Sequence, residues 1–484
     1  MAGAGKFMRA DMAPKFGTSG LRGLVVDLTE DLVRDYTGAF LASCPHGGAL
    51  YLGQDLRPSS PEIAAHVAQA ARAQGVPVID CGVLPTPALA LAAMQAGQAA
   101  IMVTGSHIPA DRNGLKFYVP TGEISKSDEQ AIQAHLGQSS PGQSDLGPSD
   151  LGQVAGLTCE DTARATYVAR YVSGFGGDAL NGLRIGVYQH SSTARDLMGE
   201  VVTALGGTAV ALARSNDFVP VDTEALDPET RHMLAGWCAE HDLDAVISTD
   251  GDADRPMVAD AQGAVVPGDV LGVLTAQMLG ARVICTPVSS NSMVQQIESF
   301  DAVHLTRIGS PYVIAAMEQV LRENPAAAVV GYEANGGFLL GFTAQGPSGP
   351  LPPLMTRDCL LPMLAPLSMA RARGRALSDL VRGLPACFTA ADRLQGIETA
   401  VSQQLIAQLT IDPTSRGAFF ADLGPETAVD TTDGLRVSFS EDRVVHLRPS
   451  GNAPELRCYA EAPSAETAQE LVARFLGEVR ARLL

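Results

Sequence analysis

Ala99-Ala100-Ile101-Met102-Val103, running straight into Thr104-Gly105-Ser106-His107-Ile108-Pro109, is the stretch on which the reading of this chain turns. Its first five residues have the length and β-branched content of a buried parallel strand. Gly105, Pro109 and Asn113-Gly114 then break the chain on its way through Asp111-Arg112 to Lys116-Phe117-Tyr118. Ser106 therefore stands where a strand empties onto a surface loop, the place where open α/β sheets hold their ligands. A turn hydroxyl bonded to its own backbone is the simpler account of one such serine, so the rest of the chain has to decide.

Working outward, Ala49 to Gly53 reads as a strand followed by Gln54-Asp55-Leu56-Arg57-Pro58-Ser59-Ser60. A helix is predicted from Pro61 to Gln74, with Ser60 as N-cap, Pro61 in the first turn and Gly75 as the stop. A strand at 76–79, a short helix near 88–95 and the strand at 99–103 complete a parallel βαβ layout. The same order returns at 183–188, 193–205, 208–212, 231–241 and 245–248, ending in Thr249-Asp250-Gly251-Asp252-Ala253-Asp254-Arg255. It returns again with a strand at 282–285, a helix at 292–299, a strand at 302–305, a helix at 312–322 and a strand at 328–330. That third copy opens into Gly331-Tyr332-Glu333-Ala334-Asn335-Gly336-Gly337-Phe338. Three similar α/β units each end in one distinctive loop.

Ser139 to Gly152, rich in Ser, Gly, Pro and Asp, reads as an exposed connection, and a helix from 160 to 172 bridges to the second unit. After Gly374 the pattern changes to alternating strands at 435–440, 443–447 and 457–460 and an amphipathic end carrying Leu471, Val472, Phe475, Leu476, Val479 and Leu483 on one face. The expected architecture is α/β with four domains: 1–155, 156–262 and 263–374 as topologically similar mixed α/β units, and 375–484 as a smaller C-terminal α+β domain, all around a central cleft.

Composition narrows the function. The 484 residues, 46% hydrophobic, can bury several cores. Thirty-four basic against 53 acidic residues give a formal charge of −19, which argues against nucleic acid or an anionic membrane as partner. Any phosphate site must then be locally basic. Residues 1–16 lack the apolar core of a secretory signal, and no apolar run approaches the ~20 residues of a membrane span. The eight cysteines are scattered without zinc or dithiol spacing. A cytoplasmic location is the expectation.

Each loop suggests chemistry. Phe16-Gly17-Thr18-Ser19-Gly20-Leu21-Arg22-Gly23 offers glycine-exposed amides and an arginine fork for a phosphate, or a plain turn. Asp250, Asp252 and Asp254 alternate at a strand end, a spacing that lets three carboxylates converge on one hard cation; a solvated acidic turn is the alternative. An EF-hand is excluded, because its sixth and twelfth positions are Arg255 and Ala261 rather than Gly and Glu. Three Asp, one Mg²⁺ and Arg255 sum to about zero charge, to which a phosphoserine adds roughly −1.5 to −2. Glu333 and Asn335 on a glycine-supported turn suit vicinal sugar hydroxyls, although taken alone the stretch reads as an ordinary turn. Arg448, Ser450, the Gly451 and Asn452 amides and Arg457 form a phosphate cradle of fork, hydroxyl and backbone donors.

Taken together, FGTSGLRG at 16–23, TGSHIPADRNGLKFY at 104–118, DGDADR at 250–255, GYEANGGF at 331–338 and RPSGNAPELR at 448–457 resemble the α-D-phosphohexomutase family, in the family's order and over nearly the whole chain. The resemblance is strongest to its bacterial mannose-phosphate branch, some members of which also act on glucose phosphates. It implies that Ser106 carries a phosphoryl group and that Ser106, Asp250, Asp252 and Asp254 hold Mg²⁺. Lys116, assisted by His107, would transfer the proton, and Arg255 and Arg22 would support the serine loop. Glu333 and Asn335 would hold sugar hydroxyls, and Arg448, Ser450, Gly451, Asn452 and Arg457 the non-reacting phosphate. Arg307 falls where relatives carry a basic residue. Many relatives have Asn at the position of Ile108, Ala at Gly105, Ser at Asn335 and His at Gly337.

The implied reaction interconverts hexose 6-phosphate and hexose 1-phosphate through a phosphoserine and a hexose 1,6-bisphosphate, which also serves as activator. The partners are small phosphosugars, with the protein a monomer or homodimer. A hinge is expected before the fourth domain, since closing the cleft excludes water. The competing readings are a glucose- or glucosamine-phosphate mutase, a silent sugar-phosphate binding protein, and a hydrolase.

Overall fold

The computed structural model describes residues 14–17, 20–137, 157–159, 161–450 and 455–483. The expected connection at 139–152 and the cradle residues Gly451 and Asn452 lie outside them.

Three sheets repeat one topology. The first is centred on strands Val78–Val83, Leu50–Gln54, Ala99–Val103 and Arg112–Val119, in that spatial order. The second has Thr208–Arg214, Arg184–His190, Ala245–Thr249 and Pro256–Asp260, and the third Ala302–Thr306, Val283–Pro287, Val329–Tyr332 and Phe338–Leu340. In each, the first three strands are parallel and the fourth is antiparallel. The third strand delivers the chain to the carboxyl edge and the reversed fourth strand starts from it, so the connecting loop must lie on the ligand-binding edge. Those three loops are the serine, aspartate and Glu333 loops.

The reversed fourth strand follows the parallel βαβ layout read from the sequence and makes each sheet mixed. In the first sheet it contains Asn113-Gly114, which reads locally as a turn. Gly114 is instead needed for strand pairing, because a Cβ there would meet Leu21 O at 2.2 Å. Two further local expectations differ. Ser60 lies inside helix Ser60–Ala73 rather than capping it, since its hydroxyl donates to Asp55 Oδ1 at 2.5 Å. The helix expected at 292–299 is only a short 3-10 turn, Ser292–Gln296, whose Ser292 hydroxyl is drawn to Glu461 of the fourth sheet.

The first sheet buries Leu50, Leu52, Ile101 and Leu115 against Phe40 and Val67 on one face. On its other face Leu89, Met102 and Tyr118 join a larger core that continues through Tyr171, Leu197, Leu271, Tyr332 and Leu360. Each such fully buried side chain contributes about 1.5–3 kcal/mol, so the three α/β units are welded into one body. Tyr167 and Tyr171, on helix Thr162–Phe175, both donate to buried Asp358 and tie that bridging helix to the third unit.

The fourth sheet is antiparallel, ordered Phe388–Gln395, Glu455–Ala462, Arg443–Pro449, Leu435–Phe439, Glu426–Asp430. Its two edge strands escaped the sequence reading because they are mostly exposed and lack a clean alternation. Its core, Leu435, Val437, Val445, Leu456 and Phe475, forms a separate cluster. Among the described residues, the hydrogen bonds that join it to the third unit are few: Asn291 Nδ2 to Cys387 O at 2.9 Å, Ser292 to Glu461, Arg307 Nε to Thr432 O at 3.2 Å and Ile308 N to Asp433 Oδ2 at 3.0 Å. A unit with its own core and polar contacts can swing as a body.

Candidate active site

Where strand Ala99–Val103 ends, the Thr104 hydroxyl donates to Asp55 Oδ2 at 2.8 Å and accepts the Ser106 N–H at 2.8 Å. Ser106 adopts φ 56°, a left-handed conformation that costs a non-glycine residue about 1–2 kcal/mol. Its buried hydroxyl donates to Asp250 Oδ2 at 2.5 Å and lies 3.2 Å from His107 Nδ1. The two loops can touch because position 251 is glycine; a Cβ there would come within 2.8 Å of Ser106 O.

Asp250, Asp252 and Asp254 are fully buried and their ligand oxygens lie within 4.8 Å of one another. Lys116 Nζ donates to Asp252 Oδ2 and Asp254 Oδ2, each at 2.5 Å. The Thr86 hydroxyl also holds Asp252 Oδ2, at 2.6 Å, and Arg357 Nη2 reaches Asp254 Oδ2 at 2.8 Å. The second oxygens, Asp252 Oδ1 and Asp254 Oδ1, are buried and have no hydrogen-bond partner among the described residues. Three convergent hard oxygen donors, two of them orphaned, fit a magnesium ion. Three carboxylates face three cations here, Lys116, Arg255 and Arg357, rather than Arg255 alone. Adding Mg²⁺ leaves about two positive charges, the complement of a phosphate at roughly −1.5 to −2.

These charges set the titration order. Burial, then Asp252 and Asp254, push the Asp250 carboxyl well above its ordinary range. Burial pushes Asp254 the same way, but Arg357, Lys116 and Arg255 outweigh it and hold Asp254 low. Burial, with Arg255 and Arg357, brings Arg22 down to about 10. Burial, followed by Arg255 and Arg22, keeps His107 neutral, so its Nδ1 accepts from Arg255 Nη1 at 3.0 Å. His107 thus touches the serine and Arg255 rather than Lys116.

The Glu333 loop is shaped by Gly336 at φ 86°. Asn335 Oδ1 accepts the Gly337 N–H at 2.9 Å, which commits that oxygen to the turn. Glu333 Oε2 is buried, without a hydrogen-bond partner among the described residues, and lies 3.9 Å from Arg357 Nη1. Burial raises Glu333, opposed by Arg357 and Arg255. From the second unit, the Thr223 hydroxyl reaches Asn335 O at 3.3 Å.

On the fourth sheet Arg448 and Arg457 sit opposite each other on adjacent strands. Arg448 Nε lies 3.0 Å from Asp433 Oδ2, Arg457 Nη2 lies 2.8 Å from Glu455 Oε1, and Ser450 N donates to Glu455 O at 2.9 Å. Arg307 stands apart from the Glu333 loop, at the junction with Thr432 and Asp433.

The structure adds groups that sequence reasoning passed over. Asp55 and Arg57 lie in the loop after strand Leu50–Gln54, on the same carboxyl edge as Ser106, so the edge rule alone would have found them. The same rule covers Thr86, which follows strand Val78–Val83, whereas Glu123 and Arg357 had no such signal. Arg357 comes from strand Leu354–Asp358 and lies between Asp254, Glu333 and Glu123, whose Oε1 is 3.7 Å from its Nε.

Three repeated α/β units, whose serine, aspartate and Glu333 loops are linked through Ser106, Asp250, Asp254 and Arg357, together with a fourth antiparallel unit, make the architecture of a multidomain phosphotransferase of the isomerase type. Sequence profiles of the phosphoglucomutase/phosphomannomutase family match throughout: alpha/beta/alpha domain I over residues 13–142, domain II over 166–263, domain III over 267–388 and the C-terminal domain over 405–478. The chain belongs to that family. A phosphomannomutase of Sinorhizobium fredii is 42% identical over 483 residues, covering 98% of this chain and 100% of the relative. One of Salmonella muenchen is 42% identical over 475 residues, covering 97% and 96%. A phosphoglucosamine mutase of Thermobifida fusca is 28% identical, covering 98% and 99%. The crystal structure of a family protein from Burkholderia thailandensis superposes with a TM-score of 0.72 at 24% identity, covering 96% of each chain. No described helix is long and apolar enough to cross a membrane.

Proposed function

We propose that this protein is a phosphomannomutase that interconverts mannose 6-phosphate and mannose 1-phosphate, and glucose phosphates secondarily, with Ser106 as the phosphoryl carrier. The observation that carries this reading is the 2.5 Å contact of the Ser106 hydroxyl with Asp250, inside a buried carboxylate triad that also holds Lys116. The 42% identity to two phosphomannomutases supports mannose over glucosamine, whose mutase stands at 28%.

Asp250, Asp252 and Asp254, with the Ser106 oxygen, would hold Mg²⁺. The ion supplies charge neutralisation for the serine phosphate as phosphoryl transfer proceeds. The free sugar hydroxyl attacks the phosphate on Ser106; its proton passes to Lys116, and the bond from phosphorus to Ser106 Oγ breaks as the bond to the sugar oxygen forms. The Lys116 ammonium, held by Asp252 and Asp254, must shed its own proton before it takes the sugar's, and Mg²⁺ drawn to those same carboxylates, which Thr86 and Arg357 also hold, would loosen their grip on it. The resulting hexose 1,6-bisphosphate turns over, and its other phosphate returns to Ser106. Arg255 and Arg22 brace the serine loop, and His107, kept neutral, accepts from Arg255. Glu333 and Asn335 bind sugar hydroxyls in either orientation. Arg448, Ser450, Gly451, Asn452 and Arg457 grip the phosphate that is not reacting, with Arg307 at the edge of that cradle. The division at residues 155, 262 and 374 assigns the serine, metal, sugar and phosphate loops to one domain each.

The test is intact mass and peptide mapping after incubation with mannose 1,6-bisphosphate and Mg²⁺, beside Ser106→Ala. One phosphate on Ser106, absent from the variant, is expected, together with turnover of mannose 1-phosphate in preference to glucosamine 1-phosphate. An unmodified Ser106 under these conditions refutes the reading.

A further inference from the structure

The most heavily bonded side chain beside Ser106 has no part in the chemistry above. Arg57 is 1% exposed, and its guanidinium gathers four main-chain carbonyls of the serine loop. Nη2 donates to Ser106 O at 2.9 Å and Ile108 O at 2.5 Å, and Nη1 to Pro109 O at 2.7 Å and Arg112 O at 3.0 Å. Nε donates to Asp55 Oδ2 at 3.1 Å, so all the N–H groups of the fork are committed. Asp55 is itself held by the Arg57 N–H, Ser60 and Thr104. The cation's Cζ stacks 4.0 Å from the centroid of Phe218, which belongs to the second unit. A Cβ on Gly105 would lie 2.6 Å from the same Cζ.

We propose that Arg57 is the positioning residue that holds Ser106 in its left-handed, Asp250-facing conformation. The inference rests on Ser106 being the carrier. The left-handed serine is disfavoured on its own, and only something that grips the loop backbone on both sides of it keeps the hydroxyl aimed. A planar fork can span four carbonyls, whereas a lysine ammonium has three donors radiating from one point. Positioning errors of this size reduce the chemical step far more than substrate binding.

Arg57→Lys and Phe218→Leu, the latter removing the ring stacked on the cation, are compared with the unaltered protein in steady-state kinetics and in the rate of Ser106 phosphorylation by mannose 1,6-bisphosphate, read by intact mass. Calorimetry of mannose 1-phosphate binding is run in the Ser106→Ala background with and without Arg57→Lys. The expected result is kcat and phosphorylation rate both down at least 10-fold in each variant, with KM and the calorimetric affinity changed less than 2-fold. Retention of kcat within 2-fold in Arg57→Lys overturns the proposal, as does a loss of sugar-phosphate affinity equal to the loss of rate, which a merely structural role would give. If Arg57→Lys does not fold, Phe218→Leu decides alone, and unchanged kcat there overturns it. Should the unaltered protein take no phosphate on Ser106, it is the carrier assignment that fails, and the two failures are thereby told apart.

Discussion

Lys116→Met strips the one ammonium from the carboxylate triad while keeping most of the apolar stem. Lys116 is 5% exposed at its side chain and its two partners, Asp252 and Asp254, are 0% and 1% exposed. Removing one member of a buried ion pair costs about 3–5 kcal/mol, because the other charge stays behind unpaired. Arg357 at 2.8 Å from Asp254 and the Thr86 hydroxyl at 2.6 Å from Asp252 compensate in part, which places the effect at the lower end, about 3 kcal/mol. Domains of 150–250 residues lose about 2–4 °C per kcal/mol, and the welded three-unit core responds at the low end, so the melting transition should fall by about 6 °C in EDTA. In millimolar Mg²⁺ the ion neutralises the same carboxylates, and the fall should shrink to less than half. Scanning calorimetry of both proteins in both buffers measures the four midpoints. A fall under about 1 °C in EDTA, or an equal fall with and without Mg²⁺, would refute the shared-carboxylate account. Activity gives an independent reading, since loss of the proton acceptor should lower kcat by about 10²–10⁴.

Arg448→Met removes a charge-assisted grip on the non-reacting phosphate, worth about 1.5–3 kcal/mol, so KM for mannose 1-phosphate should rise about 10–100-fold with kcat little changed; initial-rate kinetics with an unaltered KM would contradict that role. Because the fourth unit has its own core and polar contacts to the third, small-angle scattering should register compaction when mannose 1-phosphate and Mg²⁺ are added, and superimposable curves would count against a hinge. Burial pushes Asp269, which accepts the Asn291 and Val270 N–H groups, up to about 6 from its ordinary 3.8. The folded state then binds this proton more tightly than the unfolded chain, so Asp269 costs progressively more stability as pH rises from about 4 to 6. Asp269→Asn should flatten that part of the curve of melting temperature against pH, and an unchanged slope there would sink the assignment.

Much of this molecule is legible in local sequence. Ala99 to Val103, Ala245 to Thr249 and Val329 to Tyr332 announce themselves as buried strands, and the loops that follow each carry a distinctive motif; the spacing of the aspartates suggests a metal, while the carrier role of Ser106 is what the family resemblance implies. Such features depend on residues a few positions apart, where alternation, turn residues and charge spacing act directly on the backbone. What local sequence left undecided depends on contacts between distant segments. Asn113-Gly114 has the composition of a turn, yet pairing with Leu21 and Arg22 makes it strand. Ser60 looks like a cap, yet Asp55 claims its hydroxyl. Arg357 joins Asp254 to Glu333, and Arg57 clamps the Ser106 loop under a ring from another unit, only because the three repeated sheets are welded through one core. The chain by itself determined which chemical groups are present and on which edges they fall. Tertiary structure alone decided which oxygen of each aspartate is committed and which buried arginines hold the loops, because those partners meet only when long-range burial pairs each isolated charge with an opposite one.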